Sequence, residues 1–169
     1  MNYFHDKPIL YINSISTGFI EIPNQISLNI YVSGCFKRCK NCHNSHLQNF
    51  NKTLLLNEQM FNKMLQLYKM ANWVCFLGGD AVYQPKGLET IAQFSKKSGK
   101  RVCLYTGILF SELEKININD IDLIIDGPYE EQKGTVDSST TNQHCYINEN
   151  GIWRAILFKD LRGYKWDTK

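Results

Sequence analysis

Three cysteines, Cys35, Cys39 and Cys42, stand in a C-x3-C-x2-C loop directly after the apolar run 26–32. A strand that ends in such a loop brings three thiols to one end of whatever sheet it joins. Three thiolates this close can hold three irons of a 4Fe-4S cluster, and the lack of a fourth cysteine in the loop leaves one iron open for chemistry. The residues alone also admit a zinc site of three Cys and one His, using His43 or His46. A second pair of zinc ligands at finger spacing is missing.

A chain of 169 residues, 43% of them hydrophobic, is long enough for one core and short for two, so a single domain over 1–169 is expected. The net charge of +3, with no basic block or helical stripe, gives no reason to expect nucleic acid as a partner. The first eight residues lack a basic stretch followed by an apolar core, and no segment is long enough to span a bilayer. The expectation is a soluble cytoplasmic protein with no membrane partner. In that setting six cysteines point to ligands and buried thiols rather than disulfides.

Apolar runs then alternate with helical patterns. Asn57 is placed to cap a helix reaching about residue 70, with Phe61, Met64, Leu65 and Tyr68 along one face. A strand over 74–77 follows. Pro85 opens a second helix through Leu88, Ile91 and Ala92, and Gly99 is its stop signal. Residues 101–106 read as a strand, Ser111 to Glu114 have the spacing of a capping box, and 121–126 and 152–158 are later strands. The Gly/Ser/Thr-rich stretch 133–141 reads as a mobile loop, and the chain after about 159 as a short tail. Such alternation implies right-handed crossovers and a mainly parallel sheet, with ligand sites at the carboxyl ends of its strands. Too few strands are present for a closed eight-stranded barrel, so the expected architecture is a partial, open β/α barrel.

The cysteine spacing resembles the cluster loop of the radical S-adenosylmethionine (SAM) enzymes. Gly78, Gly79 and Asp80, which end the next strand, resemble that family's second motif. Beyond these, Asp126, Gly127, Pro128 and Tyr129, followed by Ser138 to Gln143, resemble the anaerobic ribonucleoside-triphosphate reductase activating proteins. Two departures are visible: Ala81 stands where many activases have proline, and His43 where many have tyrosine. The pair His43 and Asn44 instead resembles the loop of pyruvate formate-lyase activating enzymes and of some reductase activases.

The resemblance implies a 4Fe-4S cluster on Cys35, Cys39 and Cys42 and SAM chelated at the open iron. It implies one-electron cleavage of SAM to a 5'-deoxyadenosyl radical, which takes a hydrogen from one glycine in a loop of the reductase catalytic subunit. The alternative within the same chemistry is another glycyl radical enzyme such as pyruvate formate-lyase, a peptide or a small molecule, and the non-enzyme alternative is a zinc-stabilised binding module. Gly78 and Gly79 let the strand end approach SAM closely, and Asp80 is a candidate for its amino group. Tyr105, Thr106 and Asp126 end neighbouring strands and are candidates for ribose or carboxylate contacts. Lys37, Arg38 and Lys40 surround the ligands, either as a solvated face or to steer a flavodoxin-like electron donor. Cys75 and Cys103 lie in apolar runs and belong to the core, and Cys145 is a core or surface thiol.

Overall fold

The structure, a computed structural model, describes residues 9–51 and 54–166. The N-terminal residues from which the absence of a leader was read lie outside them. Eight strands form one sheet: β1 (Leu10–Gly18), β2 (Ser27–Val32), β3 (Leu54–Leu56), β4 (Trp73–Gly78), β5 (Arg101–Tyr105), β6 (Leu123–Asp126), β7 (His144–Glu149) and β8 (Ile152–Ile156), in the order β3-β1-β2-β4-β5-β6-β7-β8. The two α-helices among the described residues are α1 (Glu58–Leu67) and α2 (Pro85–Lys97).

This architecture corrects the expectation of a partial β/α barrel with a mainly parallel sheet. Only the centre is parallel, in the pairings β2·β4, β4·β5 and β5·β6. Both flanks are antiparallel, the sheet does not close, and two helices are too few to surround it. The physical reason lies in the connections. A parallel crossover needs a dozen or more residues, usually helical. Between β7 and β8 stand only Asn150 and Gly151, with φ of 55° and 89°. Positive φ at both central residues makes the tight turn that suits an antiparallel hairpin. Between β1 and β2 the linking segment is also too short for a crossover.

Where the periodicity was strong, the elements form. Asn57 caps α1, its side chain accepting from the Met60 N–H at 2.8 Å, and Phe61 is fully buried. In α2 Pro85 lies in the first turn, Leu88, Ile91 and Ala92 are buried, and Gly99 follows the helix with φ +73°. The capping box at Ser111 does not form. The element there is a 3-10 helix, Phe110–Lys115, whose cap is Leu109, and the Glu112 carboxylate accepts the Leu109 N–H at 3.3 Å. Its start is fixed from outside, because the Phe110 N–H donates to Asp126 Oδ2 at 2.6 Å.

Alternation along the strands divides the core in two. Val74, Phe76, Val102, Leu104 and Ile124 face the helices, packing with Leu28, Ile30, Leu88 and Ile91. Trp73, Cys75, Cys103, Leu123, Ile125 and Cys145 face the other side and pack with Ile22 and Leu161. All three of these cysteines are buried, Cys145 with its thiol pushed up to about 12 by that burial and by the nearby Asp126 charge. The chain after residue 159 runs across this second face. Leu161 is buried there, and the Trp166 ring meets Trp73 edge-on at 4.6 Å.

Candidate metal centre at the carboxyl ends of the central strands

The cysteine loop leaves β2 through Ser33 and Gly34. Gly34 has φ +96°, and a side chain there would run into the Phe50 ring, 2.2 Å from an added Cβ. The first half of the loop is tied to 47–50. Gly34 N–H donates to the Leu47 carbonyl at 2.8 Å, Cys35 N–H to that of Gln48 at 2.9 Å, and Gln48 Nε2 to the Cys39 carbonyl at 3.3 Å. The Ser33 hydroxyl receives the Asn51 N–H at 2.7 Å. Arg38 and Asn41 adopt positive φ, 48° and 56°, which lets the chain curl between the ligands.

The three thiols are free and half-buried. Among the described residues no three His, Cys, Asp or Glu side chains gather around one point, as a single closed ion would require. A cluster asks for less, because each thiolate binds a different iron and the sulfurs stand apart. His43, the fourth donor for a zinc site, has Nε2 3.0 Å from the Tyr129 hydroxyl, and His46 is exposed. Three thiols in one loop are the donor set of an iron–sulfur cluster. Burial pushes the Cys35 thiol up, and the Asp80 and Cys39 charges add to this, so its ligating thiolate form needs the positive charge that iron brings.

Gly78 and Gly79 bring β4 hard against this loop. Gly78 has φ +94°. A Cβ on Gly79 would lie 2.5 Å from the Gly34 carbonyl oxygen and 2.8 Å from that of Val32. The closeness permits two short hydrogen bonds, Gly79 N–H to Val32 O at 2.7 Å and Asp80 N–H to Gly34 O at 2.8 Å. The buried Asp80 carboxylate turns toward β5 and accepts from the Thr106 hydroxyl at 2.9 Å, Gly107 N–H at 3.0 Å and Val82 N–H at 3.1 Å. Burial raises its pKa to about 6 against these donors and the Lys37 charge.

Thus Gly78, Gly79, Asp80 and Thr106 come together with the cysteine loop, and Asp80 acts as the fastener between β4 and β5. Asp126 ends β6 beside them but is occupied: Oδ2 accepts from Phe110 N–H, and Oδ1 lies 3.2 Å from both the backbone N and Nδ1 of His144. Tyr105 is not brought in. Its side chain packs on the second face, and its hydroxyl donates to the Glu21 carbonyl at 2.7 Å. The two segments 126–129 and 138–143 do meet. Asn142 Nδ2 donates to the Pro128 carbonyl at 2.7 Å, and Gln143 Nε2 to that of Gly127 at 3.4 Å. The stretch 133–141, read as mobile, folds back on itself through Thr140 Oγ1 to the Lys133 carbonyl at 2.9 Å.

Sequence reasoning passed over Gln84. Its Nε2 donates to the carbonyls of Ser33 and Tyr11, both at 3.0 Å, while its Oε1 accepts the Tyr11 N–H at 2.8 Å, joining β1 to the root of the cysteine loop. A lone glutamine before Pro85 carries no periodic signal that would have found it.

A family model described as a 4Fe-4S single cluster domain matches residues 26–146. The chain is 27% identical over 169 residues to the anaerobic ribonucleoside-triphosphate reductase-activating protein of Enterobacteria phage T4, covering 91% of this chain and 99% of that one. It is 26% identical to the protein of the same name from Pasteurella multocida, over 79% of this chain and 87% of that one. For the Haemophilus influenzae protein of that name the identity is 28%, over 76% and 84%. No helix among the described residues is long and apolar enough to cross a membrane.

Proposed function

The chain belongs to the 4Fe-4S single cluster domain family, and from that membership we propose that it activates an anaerobic ribonucleoside-triphosphate reductase by radical SAM chemistry. One observation carries the reading: the Cys35, Cys39 and Cys42 loop is pressed onto Gly79 and Asp80 at the carboxyl end of a parallel strand. The names of the three relatives support the choice of partner.

Cys35, Cys39 and Cys42 would hold a 4Fe-4S cluster, which would supply the one-electron reduction that cleaves SAM to methionine and a 5'-deoxyadenosyl radical, the species that takes the α-hydrogen of a reductase glycine. The chain's own residues position. Gly78 and Gly79 let β4 close on the root of the loop, where a side chain would collide with the Gly34, Val32 and Tyr31 backbone, and so they set how near the strand end lies to the three thiols. Asp80 holds the β5 end through Thr106 and Gly107, keeping two neighbouring strand ends in register around the site. Lys37, Arg38 and Lys40 are exposed around the ligands and give a docking surface for an acidic electron donor of the flavodoxin kind.

The test is anaerobic reconstitution with iron and sulfide, then dithionite and SAM, with 5'-deoxyadenosine as readout in wild type and Cys39→Ala. Product from the wild type and none from the variant is expected, with a glycyl radical signal once the reductase subunit is added. A cluster-loaded wild type that makes no 5'-deoxyadenosine even with the reductase present overturns the reading. A colourless protein holding zinc overturns it as well.

A further inference from the structure

Past Cys39 the loop leaves the 47–50 segment and reaches across the ends of β4 and β5. Asn41 Nδ2 donates to Glu131 Oε2 at 2.5 Å. His43 Nε2 lies 3.0 Å from the Tyr129 hydroxyl, with the two rings 4.5 Å apart. The partners are 90 and 86 positions apart in sequence, so neither contact follows from local chain geometry. They bracket the last ligand: Asn41 precedes Cys42 and His43 follows it. Asn41 also holds a positive φ of 56°, sparsely populated by residues other than glycine, where a tied side chain helps keep the backbone in place.

The segment on the other side of these contacts is well anchored. Gly127 has φ +97° and an added Cβ would meet the Asn142 carbonyl at 2.9 Å. Asn142 and Gln143 bond the Pro128 and Gly127 carbonyls, and Asp126 beneath is buried and fully engaged. Among the described residues no further strand closes this open sheet around the site. The cysteine loop itself spans from β2 to the connection after β6.

We propose that Tyr129 and Glu131 are positioning residues: the β6–β7 connection clasps the cysteine loop from across the sheet end and fixes the place of Cys42 relative to Cys35 and Cys39. The inference rests on the reading that these cysteines hold a cluster. The first half of the loop takes its position from 47–50; in the second half the Cys42 backbone is held locally, by its N–H to the Cys39 carbonyl at 3.4 Å and by the Ser45 N–H to its own carbonyl at 3.1 Å, and the side chains on either side of it are held by 129–131.

The test uses Tyr129→Phe, which keeps the ring and removes the hydroxyl, Glu131→Ala, and the double variant. Asn117→Ala is the control, since Asn117 makes an equally exposed bond to Glu89 away from the loop. Each protein is reconstituted anaerobically and reduced, and three quantities are read: the rate of iron release to a chelator, the EPR spectrum of the reduced cluster, and the urea midpoint. Losing one hydrogen bond to the loop is expected to speed iron release about 2- to 10-fold, with a larger effect in the double variant. The reduced-cluster spectrum of the double variant broadens, while its urea midpoint matches that of Asn117→Ala. Iron release in the double variant within twofold of wild type, or matched by the control, overturns the clasp. A wild type that takes up no iron and sulfide overturns the cluster reading instead.

Discussion

Replacing Gly79 with alanine tests whether close approach of β4 to the cysteine loop is what builds the site. The added Cβ would stand 2.5 Å from the Gly34 carbonyl oxygen, 2.8 Å from that of Val32 and 2.9 Å from the Gly34 nitrogen. All three are backbone atoms, so no side chain can swing away. Opening the shortest contact to an ordinary roughly 3.4 Å means moving the loop root by about 0.9 Å, since interiors are packed without slack. That displacement stretches the 2.7 Å and 2.8 Å bonds from Gly79 and Asp80 N–H past hydrogen-bonding range. Overpacking costs about 1–3 kcal/mol and each lost bond about 0.5–1.5 kcal/mol, so the expected destabilisation is about 2–6 kcal/mol. Urea unfolding of the apoprotein reads this directly, and iron and sulfide per chain after reconstitution reads the site, where loading is expected to fall. Gly99→Ala is the comparison. An added Cβ there meets nothing within 4 Å, so only its φ of +73° opposes the change, at about 1–2 kcal/mol and with loading intact. If Gly79→Ala unfolds with the wild type, or loses no more than Gly99→Ala and loads normally, the steric argument is wrong.

Three further outcomes follow from single groups. Asp80 titrates near 6 in the fold against 3.8 as its ordinary value, so the native state holds the proton longer and apoprotein stability falls as pH rises from about 4 to 6. A shift of this size corresponds to about 3 kcal/mol. The difference in urea-derived stability between wild type and Asp80→Asn should change by about that much across the window, and parallel pH curves would exclude it. Asn57→Ala removes the cap on the Met60 N–H and should lower stability by about 1 kcal/mol without altering iron loading; no change in the urea midpoint would mean the cap is idle. Lys37→Glu should slow cluster reduction by a flavodoxin but not by dithionite, an effect that fades with added salt, whereas equal slowing by both reductants would sink the steering role.

The parts of the fold whose signals are local are legible in the residues themselves. The cysteine spacing, the glycines at the end of β4, the Asn57 cap and the Pro85 start each depend on a few neighbouring residues, and each element stands where its signal lies. The pair Asn150-Gly151 is an equally local signal, and its two positive φ angles make β7 and β8 antiparallel. Strand direction is otherwise not written in periodicity, because an apolar run buries the same side chains whichever way its neighbour runs. What the strand-end polar residues do emerges once the sheet is assembled. Tyr105 and Asp126 occupy the same kind of position as Asp80, yet one turns to Glu21 and the other is consumed by Phe110 and His144. Pairings such as Asn41 with Glu131 and His43 with Tyr129 join residues far apart in the chain, and they exist because the sheet brings the ends of β2 and β6 to one edge.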